Sequence, residues 1–142
     1  MGGTAVAEVK EFKKFSADVP SGWTSNESGN EMGSMVLLMA PENKCVVTIA
    51  LQPSGGMPAK DLATMSSQAL KGEAPVKVDG SEAYSFTATI NGMKTTTRVQ
   101  ENEGTVLVFT VAGDEGANKD AVESIWKSMD SKDDKVKNLL KK

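Results

Sequence analysis

Asn91 and Gly92 separate two runs of alternating residues, and this arrangement restricts the fold more than any other feature of the sequence. From Tyr84 to Ile90 every second side chain is apolar, as in a strand with one buried face. A two-residue type I′ turn requires positive φ at both positions, which Asn and Gly tolerate. The sequence therefore predicts an antiparallel hairpin that turns between Ile90 and Met93.

The turn also predicts which side chains of the hairpin share a face. Ile90 and Met93 lie on the same side of a two-residue turn, so the second strand divides into two sets of alternating residues. The set that shares the face of Tyr84, Phe86, Ala88 and Ile90 is Thr95, Thr97 and Val99. The set on the opposite face is Lys94, Thr96, Arg98 and Gln100.

Other segments predict further antiparallel strands. Residues 35–40 and 44–51 form a second hairpin around Pro41-Glu42-Asn43, where Asn43 tolerates the left-handed conformation. Both strands are apolar at nearly every position, so we expect both of their faces to be covered. Three more strands are predicted at residues 15–19, 75–78 and 105–112, the last of them central in the sheet. Residues 24–34 are polar and glycine-containing, which predicts a surface loop.

One amphipathic helix is predicted between the two hairpins. It follows Pro58, which suits the first turn of a helix, and Gly72 ends it. Its apolar stripe consists of Leu62, Met65 and Ala69, with Leu70 beside them, and we expect this stripe to pack on the core.

A second helix is predicted near the end of the chain, with Asn118 as its N-cap. Its apolar stripe consists of Val122, Ile125, Trp126 and Met129. This stripe must cover one face of the sheet. We expect the helix that carries Trp126 to form the lid over Tyr84, Phe86 and Ile90.

Together these elements predict an α+β fold with an antiparallel meander sheet of about six or seven strands, flanked by helices on both faces. At 142 residues the chain has the size of one domain. We predict a residual signal or linker segment at residues 1–11, a single α+β domain at residues 12–130 and a lysine-rich tail at residues 131–142. The tail is predicted to form one more amphipathic turn, a frayed solvated end or a short membrane-surface helix, through Val136, Leu139 and Leu140.

Histidine is absent from the sequence, which removes most of the common catalytic chemistry. Ser-His-Asp and Cys-His nucleophiles, histidine general bases and most zinc or copper sites all depend on it. The single cysteine, Cys45, lies in a strand-like run, so we predict a buried core thiol rather than a reactive one. The sequence assigns no catalytic, cofactor-binding or metal-binding residue, and no cofactor is expected.

Acidic residues near two turns are interpreted as structural. Asp114, Glu115 and Asp120 do not follow the alternating ligand pattern of an EF-hand loop, so solvated charges are favoured over a calcium site. Glu101 and Glu103 flank a hairpin tip and are interpreted as solubilising charges.

Charge and hydrophobicity limit the partners. The net charge is −3, and Arg98 is the only arginine among 16 basic residues. Nucleic-acid binding needs a concentrated basic surface, and a membrane span needs about 18 consecutive apolar residues. We therefore expect no nucleic-acid partner and no membrane span. A protein partner is expected, and the oligomeric state is left open.

The beginning of the sequence suggests export. Ala5-Val6-Ala7 followed by Glu8 has the small-x-small form of a signal-peptidase site. The charged and apolar regions that should precede such a site are missing from the sequence. A periplasmic or secreted protein is predicted, and the alternative is a cytoplasmic protein with an accidental alanine-rich start.

Residues 15–23 read Phe-Ser-Ala-Asp-Val-Pro-Ser-Gly-Trp and resemble the F-x-x-x-x-P-x-G-W opening of the PsbP-like family. A hairpin, a helix, a further meander and a C-terminal helix follow in that family's order, so the resemblance covers about residues 12–130. The family includes photosystem II extrinsic proteins, DcrB-type bacterial envelope proteins and Ran-binding relatives. The resemblance implies an α/β/α sandwich, a structural role for Trp23 and no transferable catalytic residue.

The resemblance further implies a role in binding or assembly. The leading hypothesis is a non-enzymatic exported bacterial protein that binds another protein or assists assembly in the cell envelope. One alternative is a cytoplasmic secretion-effector chaperone of the same fold, which requires an exposed apolar groove on the sheet. Another alternative is a carboxylate-dependent hydrolase, which would lose its activity when a single acid is replaced.

Overall fold

The computed structural model describes residues 8–20, 22–29, 33–78, 83–90, 92–113 and 115–140. The strands are β1 (Glu8–Glu11), β2 (Ser16–Val19), β3 (Thr24–Gly29), β4 (Ser34–Met39), β5 (Cys45–Pro53), β6 (Val76–Lys77), β7 (Tyr84–Ile90), β8 (Met93–Asn102) and β9 (Thr105–Gly113). The helices are α1 (Ala59–Ala69), α2 (Glu115–Ser128) and α3 (Asp134–Leu139), and a 3₁₀ turn spans Pro41–Asn43. The predicted signal-peptidase site at residues 5–7 lies outside the described residues.

Seven strands form one antiparallel sheet in the order β3-β4-β5-β9-β8-β7-β6. The sheet consists of two meanders, β3 to β5 and β6 to β9, which are joined by the pairing of β5 with β9. Strand β9 is therefore central, as the sequence predicts. Strands β1 and β2 form a separate antiparallel hairpin. The α+β class and its antiparallel sheet are confirmed.

The central hairpin has the predicted register. Ile90 pairs with Met93, Phe86 with Thr97, and the pairing continues to the end of β7. Gly92 has a φ of +80°, in the left-handed region that the turn requires, while Asn91 lies outside the described residues. Phe86 and Thr97 are both buried on one face, so the face assignment made from the turn is confirmed.

The two faces of the sheet are covered by different elements. One face, named here the closed face, is covered by the β1–β2 hairpin, α2 and α3, and it holds the larger core. Its sheet residues include Val36, Leu38, Val47, Ile49, Phe109 and Val111. The other face, named the open face, carries α1, which packs on β7 and β8. A smaller core of Ala59, Ala63, Phe86, Val99 and Val106 lies beneath α1.

Trp126 lies on the closed face, so the predicted lid over Tyr84, Phe86 and Ile90 is wrong. The ring of Trp126 packs edge-on against Phe109, with 5.1 Å between centroids and 72° between planes. The register places Phe109 opposite Arg98, on the face away from Phe86. Helix periodicity identifies an apolar stripe but does not identify the sheet face that the stripe covers.

The stripe of α2 itself is predicted correctly, although the beginning of the helix is not. Ile125 and Met129 are buried, and Val122 and Trp126 pack against the same core. Helix α2 begins at Glu115, so Asn118 lies inside the helix and is not its N-cap.

Helix α1 is rotated relative to the sequence prediction. The residues that it buries are small: Ala59, Ala63 and Ser67. In the predicted stripe, Leu62 is half-buried, whereas Ala69 and Met65 are exposed, Met65 by 55%. Small side chains let the helix lie close to the sheet, where Phe86 fills the space beneath it. Of the predicted stripe, Met65 and Ala69 therefore face away from the sheet, whereas Leu62 packs against the smaller core.

Two local predictions in the first meander are also wrong. Residues 24–29 form strand β3 at the edge of the sheet, where pairing with β4 overrides their low strand propensity. In the 3₁₀ turn the left-handed residue is Glu42, with φ of 62°, and not Asn43.

Both segments that flank residues 12–130 contain regular structure. Strand β1 pairs with β2 and places Lys10 within 3.5 Å of the Ser25 hydroxyl. At the other end α3 packs on β8 and β9, with Val136, Leu139 and Leu140 buried. Of the alternatives for the tail, the amphipathic turn is therefore the one observed.

Two alanine-to-leucine substitutions on α1 test which side of the helix faces the sheet. We expect Ala63→Leu to lower the free energy of unfolding by about 1–3 kcal/mol, because Ala63 is fully buried against the sheet and extra volume there forces a rearrangement. The matched control Ala69→Leu is exposed and should change it by less than about 0.5 kcal/mol. Urea unfolding in dilute protein measures both, and the reverse order would contradict the observed rotation.

Candidate functional site

A cleft of about 710 Å³ lies between the β1–β2 turn and the link from α2 to α3. Ser16 and Asp130 exchange backbone hydrogen bonds across it, and the Ser131 hydroxyl donates to the Lys14 carbonyl at 2.7 Å. Charges of both signs line it: Glu11, Asp130, Asp133 and Asp134 with Lys13, Lys14, Lys132 and Lys137. The charges of the two signs balance in number, and the hydrogen bonds across the cleft attach the tail to β2.

A second cleft, of about 430 Å³, lies between β2 and α2 and is lined by Asp18, Asp120, Glu123, Ser124, Lys127 and Ser128. The Asp18 amide donates to the Ser128 hydroxyl at 2.8 Å, which fixes β2 to α2. Within the described ranges no group of three or more His, Cys, Asp or Glu side chains could hold a metal ion. Asp120 is exposed, while Asp114 and the side chain of Glu115 lie outside the described part.

Arg98, the only arginine, has a packing role that sequence reasoning missed. Its guanidinium carbon lies 4.8 Å from the centroid of the Trp126 ring, and its Nε donates to the Gln100 side chain at 3.1 Å. Burial lowers the pKa of Arg98 from its usual value. A cation stacked on an aromatic face stabilises the contact between β8 and α2. The register that places Arg98 opposite Phe109 is the only signal that could have indicated this contact.

Glu101 has a structural role beyond the predicted one of a solubilising charge. Its carboxylate accepts hydrogen bonds from the Gly104 amide at 2.9 Å and from the Ser54 hydroxyl at 3.3 Å. These bonds tie the β8–β9 turn to the segment that leads into α1. Glu103, in the same turn, is exposed.

The region of the open face beside α1 is apolar and only partly covered. We name it the open patch, and it comprises Met35, Leu37 and Met39 of β4 with Val46, Thr48 and Ala50 of β5. Met35 is 47% exposed and the other five are half-buried. On the same strands the closed-face residues Val36 and Val47 are fully buried. The expectation that both faces of these strands are covered is therefore wrong in part, because the described chain covers their open face only partly.

Helix α1 adds a second uncovered apolar surface on the same side of the sheet. We name it the outer stripe, and it consists of Met65 and Ala69, while Leu62 beside them is half-buried and packs against the smaller core. On a helix with about 3.6 residues per turn, it lies more than a quarter turn from the stripe that faces the sheet. Residues 62–70 contain no charged side chain, although 25% of the chain is charged. The charges of the helix, Lys60 and Asp61, lie in its first turn and are both exposed.

The open patch and the outer stripe share their chemistry. Strands β4 and β5 contain no charged residue, as is true of residues 62–70. Met35, Met39 and Met65 give the surface flexible side chains that adapt to different contacts. The arrangement can bury apolar surface of a partner, and it provides neither a nucleophile nor a general base.

Cys45 lies at the beginning of β5 and is fully buried in the larger core. Its predicted position as a core thiol is confirmed. The side chain is on the closed face, so it does not belong to the open patch. The described helices include none that is long and apolar enough to cross a membrane.

No model of a protein family matches the sequence, and no curated protein matches it. Among solved structures, the solution structure of cyanobacterial PsbP (CyanoP) from Synechocystis sp. PCC 6803 is similar, with a TM-score of 0.56 and 13% identity over 92% of this chain and 95% of that chain. A crystal structure from Bacteroides thetaiotaomicron gives a TM-score of 0.48 and 15% identity over 84% of this chain and 45% of that chain.

The similarity to CyanoP extends over nearly the full length of both chains, and at this identity it shows the fold alone. The PsbP-like fold predicted from residues 15–23 is therefore confirmed. Trp23 of that motif is partly buried and packs against the larger core. Kinship with DcrB-type and Ran-binding proteins stays a prediction.

Thiol labelling tests the burial of Cys45. We expect alkylation of Cys45 in the native protein to be at least about 1,000-fold slower than in urea, because the thiol reacts only after the core opens. The control is an exposed thiol introduced by Val76→Cys, at a position that is 68% exposed, which should react without delay. Rapid labelling of wild-type Cys45 would contradict the closed core. Mass spectrometry over time measures both rates.

Proposed function

We propose that this protein is a non-enzymatic protein-binding module that acts in the bacterial cell envelope, and that its binding surface is the open patch. The observation that carries the proposal is the uncharged, half-exposed apolar surface formed by Met35, Leu37 and Val46 beside α1. Contiguous exposed apolar surface is costly in water and marks interaction sites. Its uncharged lining favours a partner with an apolar surface over nucleic acid or an anionic membrane.

The assignment of a binding role is supported by what the described surface offers chemically. The two clefts hold balanced or scattered charges without histidine, and their hydrogen bonds connect structural elements. The PsbP-like fold agrees with the sequence motif, whose family implies binding or assembly. A carboxylate-dependent hydrolase would need two acids converging on a substrate, and no observation favours that function.

The location in the envelope is supported by Ala5-Val6-Ala7 and by the family implied by the motif. The cytoplasmic effector chaperone is the second candidate, because the open patch meets its requirement for an exposed apolar surface on the sheet. The two candidates use the same surface and differ in the compartment where they act.

Site-specific photo-crosslinking in the native organism tests the binding surface. A photoreactive residue in place of Leu37 should capture a partner protein, because Leu37 lies in the middle of the open patch. Leu37→Asp should weaken binding of the captured partner about tenfold or more, since a charge would be buried at the contact.

The matched control places the same photoreactive residue at Val76, which is exposed on β6 and lies on the other face. Adducts at residue 76 but not at residue 37 would contradict the proposed surface. Circular dichroism of Leu37→Asp should match the wild type, so that loss of binding is not loss of fold.

Export is tested separately, by expressing the protein with its native upstream sequence. We expect a mature periplasmic or secreted chain that begins near Glu8, because signal peptidase cleaves after small-x-small sequences. N-terminal sequencing of the fractionated protein measures this. An unprocessed chain confined to the cytoplasm would favour the chaperone instead.

A further inference from the structure

Met35 is the most exposed member of the open patch, and its neighbours on the sheet are small. It is 47% exposed, whereas the other five residues of the patch are half-buried. Its cross-strand partners are Ser28 on β3 and Ala50 on β5, which shield little of a long side chain. Met39, at the other end of β4, is half-buried. A small solute therefore reaches the Met35 thioether while the chain is folded.

Two other methionines provide references for the reactivity of Met35. Met129 is 2% exposed in the larger core, so an oxidant reaches it only after the core opens. Met65 is 55% exposed and should react, but it lies on α1 and outside the open patch. Cys45 is buried and does not compete for the oxidant. These positions separate reaction at the patch from reaction elsewhere on the surface and from unfolding.

Oxidation of a methionine changes the chemistry of an apolar surface. Hydrogen peroxide transfers one oxygen atom to the thioether: the sulfur lone pair forms the S–O bond, the O–O bond breaks, and water leaves. Sulfur is oxidised by two electrons, and the peroxide is reduced by two. The sulfoxide is polar and accepts hydrogen bonds from water. At Met35 it stays hydrated in the free chain, but it loses that water when an apolar partner covers it, which is costly.

We propose that Met35 is an oxidative modification site, and that its conversion to the sulfoxide by a peroxide weakens protein binding at the open patch. The inference rests on the proposed function, that the open patch binds protein, and adds the regulation of that binding. Because Met35 faces water in the single chain, the modification alters the surface and leaves the fold intact. Methionine sulfoxide reductases reverse this oxidation, so the change is reversible.

Brief treatment of the purified, folded protein with hydrogen peroxide tests the site. Peptide mass spectrometry should show the sulfoxide forming at Met35 and Met65 at least about tenfold faster than at Met129. The circular dichroism spectrum and the urea midpoint should match those of untreated protein. Equal rates at Met35 and Met129 would overturn the proposal, as would a chain that loses its fold when only the exposed methionines are oxidised.

The dissociation constant of the partner captured from position 37 tests the effect on binding. Treated protein, freed of peroxide, should bind that partner at least about tenfold more weakly than untreated protein. Met35→Leu keeps an apolar side chain of similar volume and should lose this sensitivity, whereas the matched control Met65→Leu should keep it. Each variant is compared with its own untreated form. Sensitivity that persists in Met35→Leu, or that disappears in Met65→Leu, would contradict the assignment to Met35.

These measurements separate the modification from the binding function. A partner that crosslinks at residue 37 and binds treated and untreated protein equally would overturn the oxidative control alone and leave the binding function standing. A residue 37 that captures no protein would overturn both, even where Met35 itself is oxidised.

Discussion

The pairing of β5 with β9 is the contact on which the rest of the structure depends. It runs the length of both strands, from Cys45 opposite Gly113 to Pro53 opposite Thr105, and it alone joins the two meanders into one sheet. It also aligns Ile49 with Phe109 on the closed face. Because successive side chains alternate between faces, a slip of one residue would turn the closed-face core toward the open side. The packing of α2, α3 and the β1–β2 hairpin depends on this register.

Sequence patterns predicted the elements whose causes are local. The β7–β8 hairpin follows from the Asn-Gly turn and its flanking alternation, and both act within a few residues. The stripe of α2 with Ile125 and Met129 follows from helical periodicity in the same way. Strand β3 was missed because its polar residues satisfy no local strand pattern, and only pairing with β4 makes them a strand.

The orientation of each helix could not be predicted, because it depends on distant residues. Helix α1 has two apolar stripes, and the sheet selects the smaller one because the chain that follows approaches β7 very closely. A Cβ added at Gly72 would lie 2.6 Å from the Thr87 carbonyl oxygen, so the end of the helix is held close to β7 and Met65 faces away from the sheet. The position of Trp126 on the closed face also depends on distant residues, because the sheet register places its neighbours Phe109 and Arg98 on that face.

Two of the wrong predictions concern residues on the same side of the sheet, and both bear on the proposed function. The sequence predicted that both faces of β4 and β5 are covered and that Met65 is buried, whereas the single chain covers the open patch only partly and leaves Met65 exposed. The closed face must be apolar for the chain to fold, so its composition says nothing about partners. Folding places a weaker demand on Leu37 and Met65, because the described chain leaves Leu37 half-buried and Met65 exposed. The proposed protein-binding role of the open face would account for their apolar character.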